Sequence, residues 1–186
     1  MRHDLVLDRD NSLLLVIDVQ EAMVGAIDNF DKIVSRIRQL TSAARIMKIP
    51  MMVTEHYKKG FGSTVSALED DLQGVMRFQK EFFSAGLEDN FLETVEGFKR
   101  NQIVLCGMET HVCALQTGMD LVQAGYQLHV VKNAIASRYE EDRETALDLF
   151  KTAGAVLTTA EIVMFQWVCR SNTPLFREVL PVIKRF

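Results

Sequence analysis

The chain has 186 residues, of which 48% are hydrophobic and 25% charged, and its net charge is −4. This length and composition predict one globular domain over residues 1–186, and the scattered basic residues exclude a general binder of nucleic-acid backbones. No segment reaches the roughly 18 to 20 apolar residues of a membrane span, and the polar start MRHDLVLDRDNS predicts no secretory signal.

Apolar runs alternate with stretches of helical period along the chain. Residues 13–17 (LLLVI) are apolar on both faces, as a buried parallel strand should be, and a helix with apolar residues three and four positions apart is predicted over 30–48. Further strands are predicted at 51–54, 75–80, 103–107, 128–132 and 155–159, and further helices at 64–72, 88–99, 111–124, 139–153, 160–169 and 174–185. This alternation predicts an α/β fold whose parallel sheet has helices on both faces.

Three reactive side chains follow the ends of predicted strands. Asp18 comes directly after the first strand, Lys80 ends the third, and Cys113 lies just beyond the fourth, in GMETHVC. Ligands of open parallel sheets bind beyond the carboxyl ends of the strands. The acid, the amine and the thiol therefore form a candidate catalytic site at one edge of the sheet.

These residue types suit nucleophilic catalysis by a cysteine. A helix N-terminus and the ammonium of Lys80 both favour a thiolate, so a lowered pKa is predicted for Cys113. Asp18 is a candidate general base toward the thiol or toward water. Backbone N–H groups in the turn that leads into the helix are candidate donors of an oxyanion hole.

The segments LLLVIDVQEAM, RFQKEFFSAG and GMETHVCALQTGMDLVQAGY resemble, in this order and spacing, the isochorismatase-like cysteine hydrolase superfamily. The resemblance extends over nearly the whole chain, to the segment TAEIVMFQWV. It implies a three-layer αβα arrangement with a Rossmann-like, six-stranded parallel sheet, and a catalytic triad of Asp18, Lys80 and Cys113. With VTEHYKKGFGST included, the chain is most similar to the isochorismatase domain-containing proteins.

The resemblance also implies a particular turn before the cysteine. In this superfamily a non-proline cis peptide precedes the nucleophile, and it falls here on Met108–Glu109. The N–H groups of Glu109 and Cys113 would then supply the oxyanion hole. The family commonly forms homo-oligomers, and the apolar segment IVMFQWV is either an interface or a core helix.

The sequence departs from the family's metal-dependent members. Nicotinamidases bind a metal through an Asp-x-His pair and a further His, whereas this chain has Thr54, Glu55 and His56 and no second His nearby. Neighbouring residues on an extended segment point apart, so no metal and no other cofactor is predicted. True isochorismatases cleave a vinyl ether without a thiol nucleophile, and the intact Cys113 therefore favours a small amide- or carbamoyl-type substrate.

Other polar and aromatic residues near these strand ends are candidates for the substrate pocket. Gln20 is either a loop hydrogen-bonding residue or a support for the active-site loop. His111 lies two residues before Cys113, on another side of a helix, so a pocket-rim position is favoured over a Cys–His pair. The candidate pocket residues are Gln20, His56, Tyr57, Phe82 and His111. Phe61 and Phe83, like Tyr57 and Phe82, are expected either to wall the pocket or to pack.

Two other classes of protein share parts of this pattern. A phosphorylation receiver has a similar sheet and a strand-ending Asp, but MMVTEHY offers no phosphoacceptor Asp at the end of the middle strand. A catalytically silent scaffold with the same fold stays open, as does a vinyl ether hydrolase. Three cysteines without paired spacing, Cys106, Cys113 and Cys169, favour a reducing, cytoplasmic compartment.

Overall fold

The computed structural model describes residues 3–184, in which six strands form one parallel sheet. The strands are β1 (Ser12–Ile17), β2 (Met51–His56), β3 (Met76–Lys80), β4 (Gln102–Met108), β5 (Gln127–Ala136) and β6 (Val156–Thr158). Their spatial order is β3-β2-β1-β4-β5-β6, and every neighbouring pair is parallel. The predicted α/β fold with a Rossmann-like, six-stranded parallel sheet is confirmed.

Helices cover both faces of this sheet. They are α1 (Phe30–Ile46), α2 (Lys58–Phe61), α3 (Phe91–Gly97), α4 (Leu115–Gln123), α5 (Glu140–Thr152), α6 (Ala160–Val168) and α7 (Pro174–Ile183). Buried residues of α1, α6 and α7 pack on one face, and those of α3, α4 and α5 pack on the other. Within residues 3–184, no helix has the length and apolar character that crossing a bilayer requires.

Strand β1 lies at the centre of the sheet, and its sequence explains why. Leu14 and Val16 face the core beneath α1, while Leu13, Leu15 and Ile17 face the opposite core. Because both faces are covered, the strand is apolar at consecutive positions rather than at alternate ones. The chain then runs to one side of β1 through β2 and β3 and to the other side through β4.

Several predicted elements differ in the structure. The predicted helix over 64–72 is wrong, since only a 3-10 turn at Ser66–Leu68 forms there. Its apolar residues are buried as their spacing suggests, but Thr64 and Val65 first pair with the loop after β1 and so start the segment in an extended conformation. Strand β5 is five residues longer than predicted, and the predicted end of the last helix, Arg185, lies outside the described residues.

Candidate active site

The site forms where the strand order reverses, between the carboxyl ends of β1 and β4. Gly107, the penultimate residue of β4, has φ +125°, and a Cβ placed there would lie 2.0 Å from the carbonyl oxygen of Ile17. Only glycine permits this close approach of the two strand ends. Asp18, which follows β1, is thereby brought beside the turn that carries Cys113. This is the switch point at which open α/β sheets bind ligands.

Asp18 is held by neighbouring strands on two sides. Its backbone is in the left-handed region, with φ +47°, and only 5% of the residue is exposed. The hydroxyl of Thr54 in β2 donates to Oδ1 at 2.6 Å, and Nζ of Lys80 lies 2.8 Å from Oδ2. Both carboxylate oxygens are therefore oriented before any substrate binds.

Lys80 ends β3, and its side chain is completely buried. Its ammonium donates to the backbone carbonyls of Phe82 and Phe83, at 3.2 and 3.1 Å, and forms an ion pair with Oδ2 of Asp18. The carboxylate of Asp18 is the charged group that balances this buried cation.

Cys113 lies in a π-helical turn, Thr110–Ala114, from which α4 continues at Leu115. The helix predicted over 111–124 thus starts with a wider turn than expected, with Cys113 in it. The residue is 7% exposed, and its thiol lies close enough to Asp18 and Lys80 for both charges to act on its pKa.

The predicted lowering of the Cys113 pKa is wrong. Burial, reinforced by the charge of Asp18 and by the hydrogen bond to it, raises the pKa of Cys113 to about 12, although the ammonium of Lys80 opposes this shift. The cation and the helix terminus can be read from the sequence, whereas the loss of hydration around the sulfur depends on the folded structure. In the resting site the sulfur is a thiol whose proton has a carboxylate beside it.

The turn before Cys113 is fixed at both ends. The Met108–Glu109 peptide bond is cis, and the carbonyl of Glu109 accepts hydrogen bonds from the N–H groups of Val112 and Ala114. The carboxylate of Glu109 accepts from Nε of Arg138 at 3.0 Å and from its backbone N–H at 3.2 Å. The cysteine turn is thus tied to the loop between β5 and α5.

A cavity of about 440 Å³ opens over the thiol. Polar residues of the site line it, together with apolar residues from several loops. Its lining residues are Asp18, Gln20, Ala22, Met23, Ala26, His56, Phe61, Phe83, Met108, Glu109, Val112, Cys113 and Arg138.

The structure brings some of the candidate pocket residues to this cavity and not others. Gln20 and His56 line it, whereas Tyr57 and Phe82 do not and are 49% and 53% exposed. His111 lies outside the lining as well, and its Nδ1 is 2.9 Å from the hydroxyl oxygen of Ser137. Of the four aromatic residues considered, Phe61 and Phe83 form walls of the cavity.

Gln20 fastens two loops together beneath the cavity. Its Oε1 accepts from the backbone N–H of His56 at 2.7 Å, and its Nε2 donates to the carbonyls of His56 and Gly62, at 3.0 and 2.7 Å. The amide of Gln20 is therefore bonded to backbone groups. This arrangement fits a support for the active-site loop.

The sequence reasoning missed two residues of the site. Thr54 had one available signal, because it is a polar residue in the apolar run MMVT and lies two positions before His56, on the same face of β2. Arg138 had none, since its pairing with Glu109 joins segments that are distant in the sequence.

The residues at the end of β2 do not fit a metal site of the nicotinamidase kind. Thr54 is bonded to Asp18, and the side chain of Glu55 is fully buried among other partners. Its carboxylate accepts from Thr64, Lys58, Arg77 and Gln79. His56 therefore has no carboxylate beside it that is available as a second ligand, and no group of three or more potential ligands occurs in residues 3–184.

Comparisons with known proteins agree with this fold. The family model described as the isochorismatase domain matches residues 12–162. Isochorismatase domain-containing protein 1 of Danio rerio is 38% identical over 174 residues, which cover 93% of this chain and 61% of that protein. The secreted isochorismatase effector Isc1 of Phytophthora sojae is 34% identical, over 94% of this chain and 85% of that protein. The solved structure of the MAR1 ribonuclease from Caenorhabditis elegans is 39% identical, covers 96% and 92% of the two chains, and has a TM-score of 0.90.

Proposed function

The chain belongs to the isochorismatase family of hydrolases, and we propose that it is a cysteine hydrolase of small amide- or carbamoyl-type substrates. The observation that carries this proposal is the proximity of the Cys113 thiol to the carboxylate of Asp18, which pairs with Lys80, in the lining of one cavity. A buried thiol that touches a fixed base can lose its proton as it attacks.

In the first step, the sulfur of Cys113 attacks the carbonyl carbon of the substrate, and the thiol proton passes to Asp18. The carbonyl oxygen becomes an oxyanion, which the backbone N–H groups of Glu109 and Cys113 stabilise. Lys80 keeps the carboxylate in place, and its charge offsets the negative charge that develops on sulfur and oxygen.

In the second step, the protonated Asp18 returns its proton to the leaving nitrogen, and the carbon–nitrogen bond breaks. An amine or ammonia leaves, and the acyl group stays on Cys113 as a thioester. Water then attacks the thioester carbonyl, Asp18 accepts a proton from that water, and the carbon–sulfur bond breaks. The carboxylic or carbamic acid leaves, and the proton on Asp18 returns to the sulfur.

Two alternatives predict different products. A vinyl ether hydrolase would release an enol and an alcohol and would not need the thiol, and a silent scaffold would release nothing. RNA is a further alternative, because the similar Caenorhabditis elegans protein is described as a ribonuclease. The scattered charges of this chain and its net charge of −4 argue against RNA.

A turnover assay separates these alternatives. Ammonia release is measured across a panel of small primary amides and carbamoyl compounds, with vinyl ethers and a mixed RNA as additional substrates. Activity on an amide that disappears in Cys113→Ala and Asp18→Asn, but persists in the control Cys169→Ala, supports the proposal. Cleavage of RNA or of a vinyl ether that persists in Cys113→Ala contradicts it.

We propose further that the chain forms a homo-oligomer in a reducing, cytoplasmic compartment. Trp167 of α6 is buried and donates to Ser12, whereas Ile162 and Phe165 of the same helix are 47% and 45% exposed. The outer face of α6 thus offers an apolar surface to a second copy. The three cysteines are free thiols. Light scattering of the wild type and of Ile162→Lys would test the interface.

A further inference from the structure

His56 lies in the wall of the active-site cavity and has no task in the chemistry proposed above. It ends β2 and pairs in register with Lys80 of β3, so the two side chains project from the same face of the sheet. The residue is 8% exposed, and it lines the cavity. A buried polar ring thus stands where a substrate would bind.

The orientation of this ring is fixed by its surroundings. Gln20 binds both the backbone N–H and the backbone carbonyl of His56. The rings of Phe61 and Phe83 each lie 5.3 Å from the imidazole, measured between ring centroids, at angles of 56° and 33°. Since the backbone and the ring are both held in place, the imidazole is positioned before a ligand arrives.

The surroundings of His56 favour the neutral imidazole. Burial and the nearby ammonium of Lys80 lower the pKa of His56 below its ordinary value, against the smaller opposing effects of Asp18, the Phe82 backbone and Glu88. A neutral imidazole has one N–H donor and one nitrogen acceptor.

The protein uses at most the donor of this ring. The backbone of Phe82 raises the pKa of His56, as an acceptor near a ring N–H does. Nδ1 has no hydrogen-bond partner within normal limits among residues 3–184, and no side chain there donates to the ring. One nitrogen lone pair of a buried side chain is therefore unpaired, which costs free energy that a donating ligand would recover.

We propose that His56 selects the substrate by accepting a hydrogen bond from an N–H or O–H group on the acyl part of a flat, uncharged amide. The apolar body of that amide lies against Phe61 and Phe83, and the walls from Ala22, Met23, Ala26 and Val112 have no side-chain acceptor. The other side-chain acceptors that line the cavity already have partners, since Asp18 pairs with Lys80, Gln20 with backbone groups and Glu109 with Arg138. This assignment rests on the proposed function, because Cys113 determines where the amide carbonyl lies.

Binding to a variant that cannot react tests the assignment. Isothermal titration calorimetry measures how tightly Cys113→Ala binds each of the three hydroxybenzamides and the methoxybenzamide with the same ring position substituted. The two compounds of a pair have nearly the same shape, so the difference in their affinities reports the contribution of the O–H donor. We expect at least one hydroxy isomer to bind about 10-fold or more tightly than its methoxy counterpart. In Cys113→Ala/His56→Phe the ratio of the two affinities should fall to about 1, while the methoxy compound still binds. In Cys113→Ala/His56→Gln part of the preference for the hydroxy compound should return.

The outcomes separate the two proposals. Absence of a hydroxy preference for all three isomers, or a preference that His56→Phe leaves unchanged, overturns the role of His56. A hydroxy preference that depends on His56, in a wild type that releases no ammonia and forms no thioester, keeps this binding role and contradicts the proposed hydrolase.

Discussion

The ammonium nitrogen of Lys80 lies 2.8 Å from Oδ2 of Asp18, and both residues are buried at the end of the sheet. A buried ion pair is costly to break, because the remaining charge then has neither water nor a partner. The same contact holds the carboxylate whose charge acts on the thiol of Cys113. Stability and reactivity are therefore linked through this pair.

Removal of the cation alone should destabilise the protein strongly. We predict that Lys80→Met lowers the free energy of unfolding by about 3–5 kcal/mol, because Asp18 is left as an uncompensated buried charge. Urea unfolding monitored by circular dichroism measures this. In the double variant Asp18→Asn/Lys80→Met both charges are absent. Its free energy of unfolding should fall by clearly less than the sum of the decreases in Asp18→Asn and Lys80→Met. Additive losses would show that the pair does not couple.

The reactivity of the nucleophile should follow from its raised pKa. With a pKa of about 12, Cys113 contains on the order of 1000-fold less thiolate at pH 8 than an ordinary thiol, so iodoacetamide should alkylate it slowly. The alkylation rate should still increase with pH above 9. Asp18→Asn should speed alkylation by removing a negative charge, and Lys80→Met should slow it.

Peptide mapping by mass spectrometry measures this alkylation, and the exposed Cys169 serves as an internal comparison in the same sample. If alkylation of Cys113 has a pH midpoint near or below 8.5, the resting site contains an activated thiolate, and the neutral-thiol description is wrong.

Acid should destabilise the protein through His129, a buried residue of β5. Burial lowers the pKa of His129 to about 4 from an ordinary value of 6.5. The unfolded chain therefore binds this proton at a higher pH than the folded chain does. Above pH 6.5 this difference in proton binding does not change the free energy of unfolding. As the pH falls from 6.5 to 4, up to about 3 kcal/mol of the free energy of unfolding is lost.

Replacement of His129 by leucine should flatten the stability curve over that range. Urea unfolding of the wild type and of His129→Leu at several pH values between 7 and 4 gives the comparison. Equal slopes in the two proteins would show that other groups cause the acid sensitivity.

Glu55 should stabilise the loop that carries Phe61. Its burial raises the pKa, but hydrogen bonds from Thr64, Lys58 and Gln79 outweigh that effect and lower the pKa to about 2. The ionised carboxylate of Glu55 therefore stabilises the folded protein fully above its ordinary pKa of 4.5. This stabilisation is lost as the pH falls from 4.5 toward 2. At pH 7 we predict that Glu55→Gln costs about 2–3 kcal/mol in urea unfolding, because charge-assisted hydrogen bonds become neutral ones.

The exposed Glu69→Gln is a matched control, since Glu69 also pairs with Arg77 but is exposed at the surface. Surface ion pairs contribute roughly 0–1 kcal/mol. An equal effect of the two variants would show that burial of the Glu55 carboxylate adds nothing.

Most strands and helices could be predicted from the sequence, because alternating apolar runs and helical stripes are local patterns. Asp18, Lys80 and Cys113 could be selected because strand ends of a parallel sheet meet at one edge. The segment after Thr64 was mispredicted because its pairing partner, Gln20, is distant in the sequence. The direction of the Cys113 pKa shift depends on burial by several loops, which no single segment reveals. One domain over residues 1–186 stays a prediction.

The role of Arg138 illustrates the same limit. Its contact with Glu109 connects the cysteine turn to the loop after β5, and neither segment alone indicates it. The hydrogen bond between Thr54 and Asp18 depends in turn on the register of β1 and β2. Contacts of this kind become visible only when the strand order is known.

The central claim is that Cys113 forms a thioester with its substrate during turnover. Acid quenching of the wild type during reaction with an amide or carbamoyl compound, followed by intact-mass spectrometry and peptide mapping, detects that intermediate directly. We predict an increase in mass equal to the acyl group, located on Cys113 and removed by hydroxylamine. Turnover of such a compound with no adduct on Cys113, or with an undiminished rate in Cys113→Ala, would contradict the account.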